Sequence, residues 1–185
     1  LYLGRLHEKK GLDMLLNIWS KIESQYPNWK LRIIGKGLSP YKLFLNERIR
    51  SLKISNVTLE KELYGKNKID AFKKADLFIL PTRGENFGMV IAEALANSLP
   101  VITTNKAPWN DLKKKECGIS VDADEKELEK VLRYFLSLNQ KDLYDMGLKG
   151  KSWMKNDYSW ERVADEMINS YSWLLNGGKK PSNVV

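Results

Sequence analysis

Cysteine and histidine are almost absent from this sequence. Among 185 residues there is one of each, Cys117 and His7. A single cysteine excludes an internal disulfide and a thiolate metal cluster, and it points to a reducing, cytoplasmic location. A single histidine argues against a histidine-rich metal site. Neither residue stands in a Ser-His-Asp frame, a zinc-ligand spacing or a Walker motif, and both read as structural. There is no apolar run of the length needed to span a bilayer. Acidic residues are outnumbered, 23 Asp and Glu against 31 Lys and Arg, leaving a formal charge of +8. Such an excess attracts phosphates in general. Nucleotides, nucleic acids and anionic lipid all satisfy it, and so does a plainly solvated lysine-rich surface.

What is present is an alternation. Hydrophobic residues make up 43% and charged residues 29%, the composition of a globular chain long enough for one compact core. LYLG reads as a short strand running into a glycine. GLDMLLNIWSKIESQYP carries apolar residues at Leu12, Leu15, Leu16, Ile18, Trp19 and Ile22, a helical spacing that Pro27 stops. LRIIG predicts a buried strand, 39–52 a helix and NVTLE a strand, and 70–75 lies in a helix. LFILP predicts a strand closed by Pro81, MVIAEALANS a helix, and PVITT and GISVD two more strands. From about Asp124 the pattern is helical to near Leu175, with breaks expected around Gly147–Gly150 and Asn156–Tyr158. Trp153, Tyr158, Trp160, Tyr171 and Trp173 fall at helical spacing and are expected to pack. Residues 177–185 have the composition of a disordered tail. The strands are continuous apolar runs, the mark of a parallel sheet covered on both faces. The expected fold is α/β, a doubly wound Rossmann-like sheet of about six strands with helices on both faces. Because it opens directly on a strand, the chain is expected to be part of a longer protein.

In such sheets ligands bind beyond the carboxyl ends of the strands. Four polar or Gly-rich segments follow strands: Gly4 to Gly11, Gly35 to Gly37, Thr82 to Gly88, and Thr104 to Trp109. The third leads into GENFGMVIAE. A helix beginning near Met89 offers free N–H groups and a positive dipole end, and Gly88 has no side chain to obstruct them. The backbone of Met89 and Val90 would seat a phosphate. Glu85 and Glu93 flank that seat, and carboxylates accept hydrogen bonds from sugar hydroxyls. The combination suits a nucleotide-sugar. Spacing alone also allows Glu93 on a plain surface helix and Glu85 in a loop or cap. In GRLHEKKG, Arg5 and Lys10 suit a diphosphate once a phosphate seat is expected on the same edge. Gly35-Lys36-Gly37 is half a dinucleotide fingerprint without its third glycine. It says only that the backbone turns tightly or lies close to something.

Together, GRLHEKKGLDMLL, RIIGKG, ADLFILPTRGENFGMVIAEALANSLPVITT, GISVD and YSWERVADEMINSY resemble the C-terminal, donor-binding domain of retaining glycosyltransferases of the GT-B fold, the large family-four group. The resemblance covers nearly the whole chain, and Glu85-x7-Glu93 within PTRGENFGMVIAEALA is its strongest mark. It implies a nucleotide-sugar binding domain over 1–176. Residues 158–176 would form a terminal helix crossing back to an N-terminal acceptor domain outside this sequence. By resemblance, Arg5 and Lys10, beside Gly4, would hold the diphosphate and stabilise the leaving group. Glu85, Phe87 and Gly88 would face the transferred sugar. Met89 and Val90 would touch sugar or phosphates through their backbone, and Glu93 would bind the ribose. The backbone around Gly35, Gly37 and Leu59–Lys61 would form the base pocket.

The implied reaction moves a hexose from a nucleotide-sugar, UDP- or GDP-linked with UDP the commoner in the family, to a glycan or lipid-linked acceptor in surface polysaccharide or lipopolysaccharide synthesis. No metal or other cofactor and no nucleic acid is expected. The basic charge would suit an anionic membrane at its cytoplasmic face. Alone, the chain is expected to bind donor without transferring sugar efficiently. One departure stands out: many relatives carry Gly-Gly and an acid after PVITT, whereas this chain has NKAPWNDL, with Asp111 partly replacing the acid. The competing readings are another sugar-nucleotide enzyme of the same fold, such as an epimerase, and a basic nucleic-acid-binding domain. The second predicts clustered cations among exposed aromatics, but the lysines here are dispersed.

Overall fold

Six short parallel strands carry the fold: β1 (Tyr2–Leu3), β2 (Leu31–Ile34), β3 (Val57–Glu60), β4 (Phe78–Leu80), β5 (Val101–Thr104) and β6 (Gly118–Val121). They are seen in a computed structural model that describes residues 1–37, 39–181 and 184. Pairing orders the strands β1-β2-β3 and β4-β5-β6. The two triplets abut along β1 and β4, where the Ile79 N–H donates to Leu1 O at 2.9 Å. The combined order is therefore β3-β2-β1-β4-β5-β6, which reverses direction between β1 and β4. In a doubly wound sheet that reversal opens a crevice at the carboxyl ends of the two central strands. The apolar strands predicted from LFILP and PVITT are buried along their whole length.

Helices cover both faces. They are α1 (Leu12–Ile22), α2 (Ser39–Ser51), α3 (Gly65–Lys73), α4 (Met89–Ala96), α5 (Glu125–Ser137), α6 (Gln140–Asp157) and α7 (Trp160–Asn176). α1 buries the six apolar residues read from its spacing, and Met14 with them. The Asp124 carboxylate caps α5 by accepting from the N–H groups of Lys126 and Glu127. Ala75, expected in a helix, lies just beyond the end of α3.

Two expectations for the C-terminal third are corrected. Gly147 and Gly150 do not break a helix: both lie inside α6, and both are buried. A Cβ on Gly147 would stand 1.9 Å from Ser98 O, so the glycine lets α6 press against the chain leaving α4. The breaks fall at Leu138–Asn139 and, as expected, at Tyr158, with Ser159 capping α7. The aromatic residues also divide. Trp153 is buried, but Trp160 is 85% and Tyr171 57% exposed, and α7 buries none of its residues. Helical spacing tells which side chains share a face, not whether anything covers it. Residues 177–181 form no helix or strand; of the predicted tail, 182, 183 and 185 lie outside the described residues.

Candidate functional site

The loop after β1 and the loop after β4 cross at the strand-order reversal. Gly11 has φ 67°, and a Cβ there would meet Pro81 O at 2.0 Å, so only glycine fits the crossing. The Arg83 N–H donates to Lys9 O at 2.6 Å. The Arg83 guanidinium grips the Asp13 carboxylate through two N–H···O bonds of 2.8 Å. Burial would raise Asp13, but the bonds and charge of Arg83, joined by the backbone N–H groups of Asp13 and Met14, outweigh it and hold the carboxyl below its usual range. The same crossing brings two predicted catalytic residues into contact. The Lys10 ammonium donates to the Glu85 carboxylate, and both side chains are largely withdrawn from solvent.

Gly88 stands at the N-terminus of α4 in the left-handed conformation, φ 80°. Beyond it the first N–H groups of α4, those of Met89 and Val90, have no partner within the helix by geometry. Met89 is exposed and Val90 half-buried. The loop before them rests on an aromatic stack. Trp109, 1% exposed, donates its indole N–H to Phe87 O at 2.5 Å. Its ring centre lies 5.2 Å from Phe87, 5.6 Å from Trp153 and 5.5 Å from Tyr158. The Glu85 N–H donates to Lys106 O at 2.9 Å. The departing segment NKAPWNDL therefore holds up the Glu85 loop from beneath. Asp111, the proposed replacement acid, sits exposed in a 3-10 turn, Asn110–Leu112.

A cavity of about 1270 Å³ opens along the carboxyl ends of β1, β2 and β3. Gly4, Arg5, Gly35 and Gly37 line it. Gly35 lies close to the chain itself: a Cβ there would be 1.8 Å from Gly4 O, so the β1 and β2 loops nest. Beneath them the Tyr2 hydroxyl donates to Arg5 O at 2.7 Å, and burial raises its pKa far above the usual value, keeping it a neutral donor. The β3 wall begins just past the residues named for the base pocket. Leu59 packs on the core and Lys61 is exposed, and the wall is made by Glu62, Leu63 and Tyr64. Glu93 reaches the cavity through a partner: the Lys68 ammonium, on the wall, donates to its carboxylate at 2.6 Å.

Sequence reasoning missed Arg83, Asp13, Lys68, Trp109 and Tyr41. Asp13 and Arg83 belong to quoted motifs, KGLDMLL and PTRG, so their charges were visible although their pairing was not. Tyr41 lines the cavity and stacks on Phe44, ring centres 5.7 Å apart. Burial pushes its pKa up to about 12, and its buried hydroxyl has no partner among the described residues. Cys117 is buried with its thiol pushed up to about 12, which keeps it unreactive at neutral pH. Among the described residues, no group of three His, Cys, Asp or Glu is placed to hold a metal ion.

Comparison with known proteins places this geometry in a family. The model of glycosyl transferases group 1 matches residues 1–153. An uncharacterized glycosyltransferase of Haemophilus influenzae is 28% identical over 174 residues, covering 90% of this chain and 46% of the relative. The capsular polysaccharide biosynthesis glycosyltransferase CapM of Staphylococcus aureus is 28% identical over 177 residues, covering 94% and 46%. The chain thus spans about half the length of the curated relatives it matches. Among solved structures, the C-terminal domain of the group 1 protein LpcC from Francisella tularensis superposes with a TM-score of 0.72 at 18% identity, covering 86% of this chain and 85% of that one. A TarM variant of S. aureus, in complex with fondaparinux, alpha-GlcNAc-glycerol and UDP, superposes with a TM-score of 0.78 at 18% identity, covering 91% and 34%. Those likenesses establish the α/β fold of a GT-B C-terminal domain, and the match over 1–153 establishes that the chain belongs to the glycosyl transferases group 1 family.

Proposed function

We propose that residues 1–176 are the donor-binding half of a retaining hexosyltransferase that takes a nucleotide-sugar, UDP-linked rather than GDP-linked. The observation that supports this best is the meeting of Lys10, Glu85 and the start of α4 at the strand-order reversal, beside the 1270 Å³ cavity. The donor diphosphate would lie on the N–H groups of Met89 and Val90, with Arg5 and Lys10 adding positive charge where the leaving oxygen becomes an anion. Lys10 would turn from Glu85 to the diphosphate, and Glu85 would then accept from hydroxyls of the transferred hexose beside Phe87 and Gly88. Glu93 would accept from the ribose. The base would enter the cavity between Gly35–Gly37 and the wall of Leu63 and Tyr64. With cations and a helix end offsetting the leaving charge, the transfer would run without a metal.

The acceptor would be a glycan or lipid-linked sugar brought by an N-terminal domain. The exposed apolar residues of α7, among them Ile168 and Leu175, are the surface such a domain would cover. A role in surface-glycan synthesis is supported by the roles of relatives, and the excess positive charge would suit the cytoplasmic membrane face. Besides CapM, the lipopolysaccharide core biosynthesis mannosyltransferase LpsB of Rhizobium meliloti is 28% identical over 130 residues.

Calorimetric titration with UDP, GDP and ADP tests the donor reading. One diphosphate is expected to bind, and Glu93→Ala to weaken it by about tenfold, the cost of unmet ribose hydroxyls. Binding by none of the three, or equal affinity in the variant, would overturn it.

A further inference from the structure

Lys68 differs from the lysines around it. Lys66, Lys73 and Lys74 are exposed, as solvated surface charges are. Lys68 lies in the first turn of α3, lines the large cavity, and reaches across to α4, where it donates to the Glu93 carboxylate at 2.6 Å. The two side chains are 28% and 37% exposed. An ion pair this open adds little to folding stability. Stability therefore does not explain why α3 sends a cation to the cavity wall. A ligand does.

Resting on the donor reading above, we propose that Lys68 and Glu93 act as one two-headed reader of the ribose cis-diol of a nucleoside diphosphate. A hydroxyl both donates and accepts a hydrogen bond. A carboxylate only accepts and an ammonium only donates, so the pair together meets both halves of the diol's capacity. The ammonium carries three donors, leaving hydrogens for the ligand beyond the one given to Glu93. Contact with Lys68 also fixes the Glu93 side chain before the ligand arrives, which lowers the ordering cost of binding. Glu93 alone would read the diol less selectively. Lys68 is thus a specificity-determining residue for the nucleotide and takes no part in bond making.

The test compares two ligands on three proteins. The 185-residue chain, Lys68→Met and Lys68→Arg are each titrated with whichever of UDP, GDP and ADP the native chain binds best, and with its 2′,3′-dideoxy form. Thermal unfolding confirms that the variants fold. The native chain should prefer the ribose form by about tenfold or more, since the dideoxy form leaves the reader unpaired. Lys68→Met should cut that preference by about threefold or more while binding the dideoxy form like the native chain, and Lys68→Arg should restore part of it. An unchanged preference overturns the inference. So does an equal loss on both ligands, which would assign Lys68 to the phosphates. If the native chain binds none of the three diphosphates, the donor reading itself falls and takes this one with it; that result is read from the native chain alone.

Discussion

On the β4-β5-β6 side of the crevice, the loop carrying Glu85 stands on packed material. Trp109, Trp153, Tyr158 and Phe87 stack beneath it, and Gly147 lets α6 close against the end of α4. On the β1-β2-β3 side, Tyr41, Phe44 and Tyr64 border open space, and the β3 strand itself has no fully buried residue. The first side holds backbone N–H groups and a carboxylate in fixed places, as a reacting centre requires. The second leaves room for a large flat group and lines it with aromatic rings and charges, as recognition requires. The two ion pairs follow the same division: Lys10–Glu85 is the more enclosed, Lys68–Glu93 the more open. On the proposed function, positioning and recognition would fall to different halves of one sheet.

The largest effect should come from breaking the packed half. Trp109→Ala removes a fully buried indole and its bond to Phe87 O, and should cost about 3–5 kcal/mol in urea unfolding. Because the lost support lies under Glu85 and Gly88, diphosphate binding should weaken even at temperatures where the variant remains folded. A variant destabilised by less than about 1 kcal/mol would show that the stack is not what holds the loop.

A smaller effect belongs to the seam, where Arg83 clamps Asp13. The folded carboxyl lies below its unfolded value of about 3.9, so its contribution is present above that pH and is lost as pH falls through the folded value. The pair is half open to solvent, which limits it to roughly 1 kcal/mol or less. Unfolding of the native chain and Asp13→Asn between pH 7 and pH 2 checks this. Their stability difference should be constant above about pH 5 and shrink below about pH 4. A difference unchanged to pH 2 would place the acid sensitivity elsewhere.

What could be read in the sequence divides along the same line. The strands, their parallel sheet and the loops at its carboxyl edge were legible, because continuous apolar runs and glycines at strand ends are local signals. GKG was read as backbone lying close to something, and that something is the chain's own β1 loop at Gly4. Gly147 and Gly150 were misread as breaks because the cost of glycine in a helix is also a local rule, here overridden by the approach of α6 to the end of α4. Lys68 and Trp109 were invisible for the opposite reason. Each acts through a partner more than twenty residues away, Glu93 and Phe87, and no spacing rule links them. The cavity wall lies at 62–64, a few residues beyond Leu59–Lys61, because β3 ends at Glu60 and the wall is built by the loop after it.

The smallest expected effect sharpens the contrast from the open half. Tyr41 buries its hydroxyl on the cavity wall without a partner among the described residues, and burial pushes its pKa up to about 12. In a packed half such an orphan would be expensive, since an unmet buried hydroxyl costs about 1–3 kcal/mol. Beside a cavity the cost is softened, and the ring does its packing through Phe44. Tyr41→Phe keeps the ring and deletes only the orphan. It should leave stability within about 0.5 kcal/mol of native or raise it slightly, where Trp109→Ala costs several. It should also remove one late step near pH 12 from the ultraviolet titration of the tyrosines. If Tyr41→Phe instead costs 1 kcal/mol or more, the hydroxyl has a partner and the wall at α2 is as tightly built as the floor beneath Glu85. The division of the sheet into a fixed half and a receptive half would then fail at the residue where it is easiest to measure.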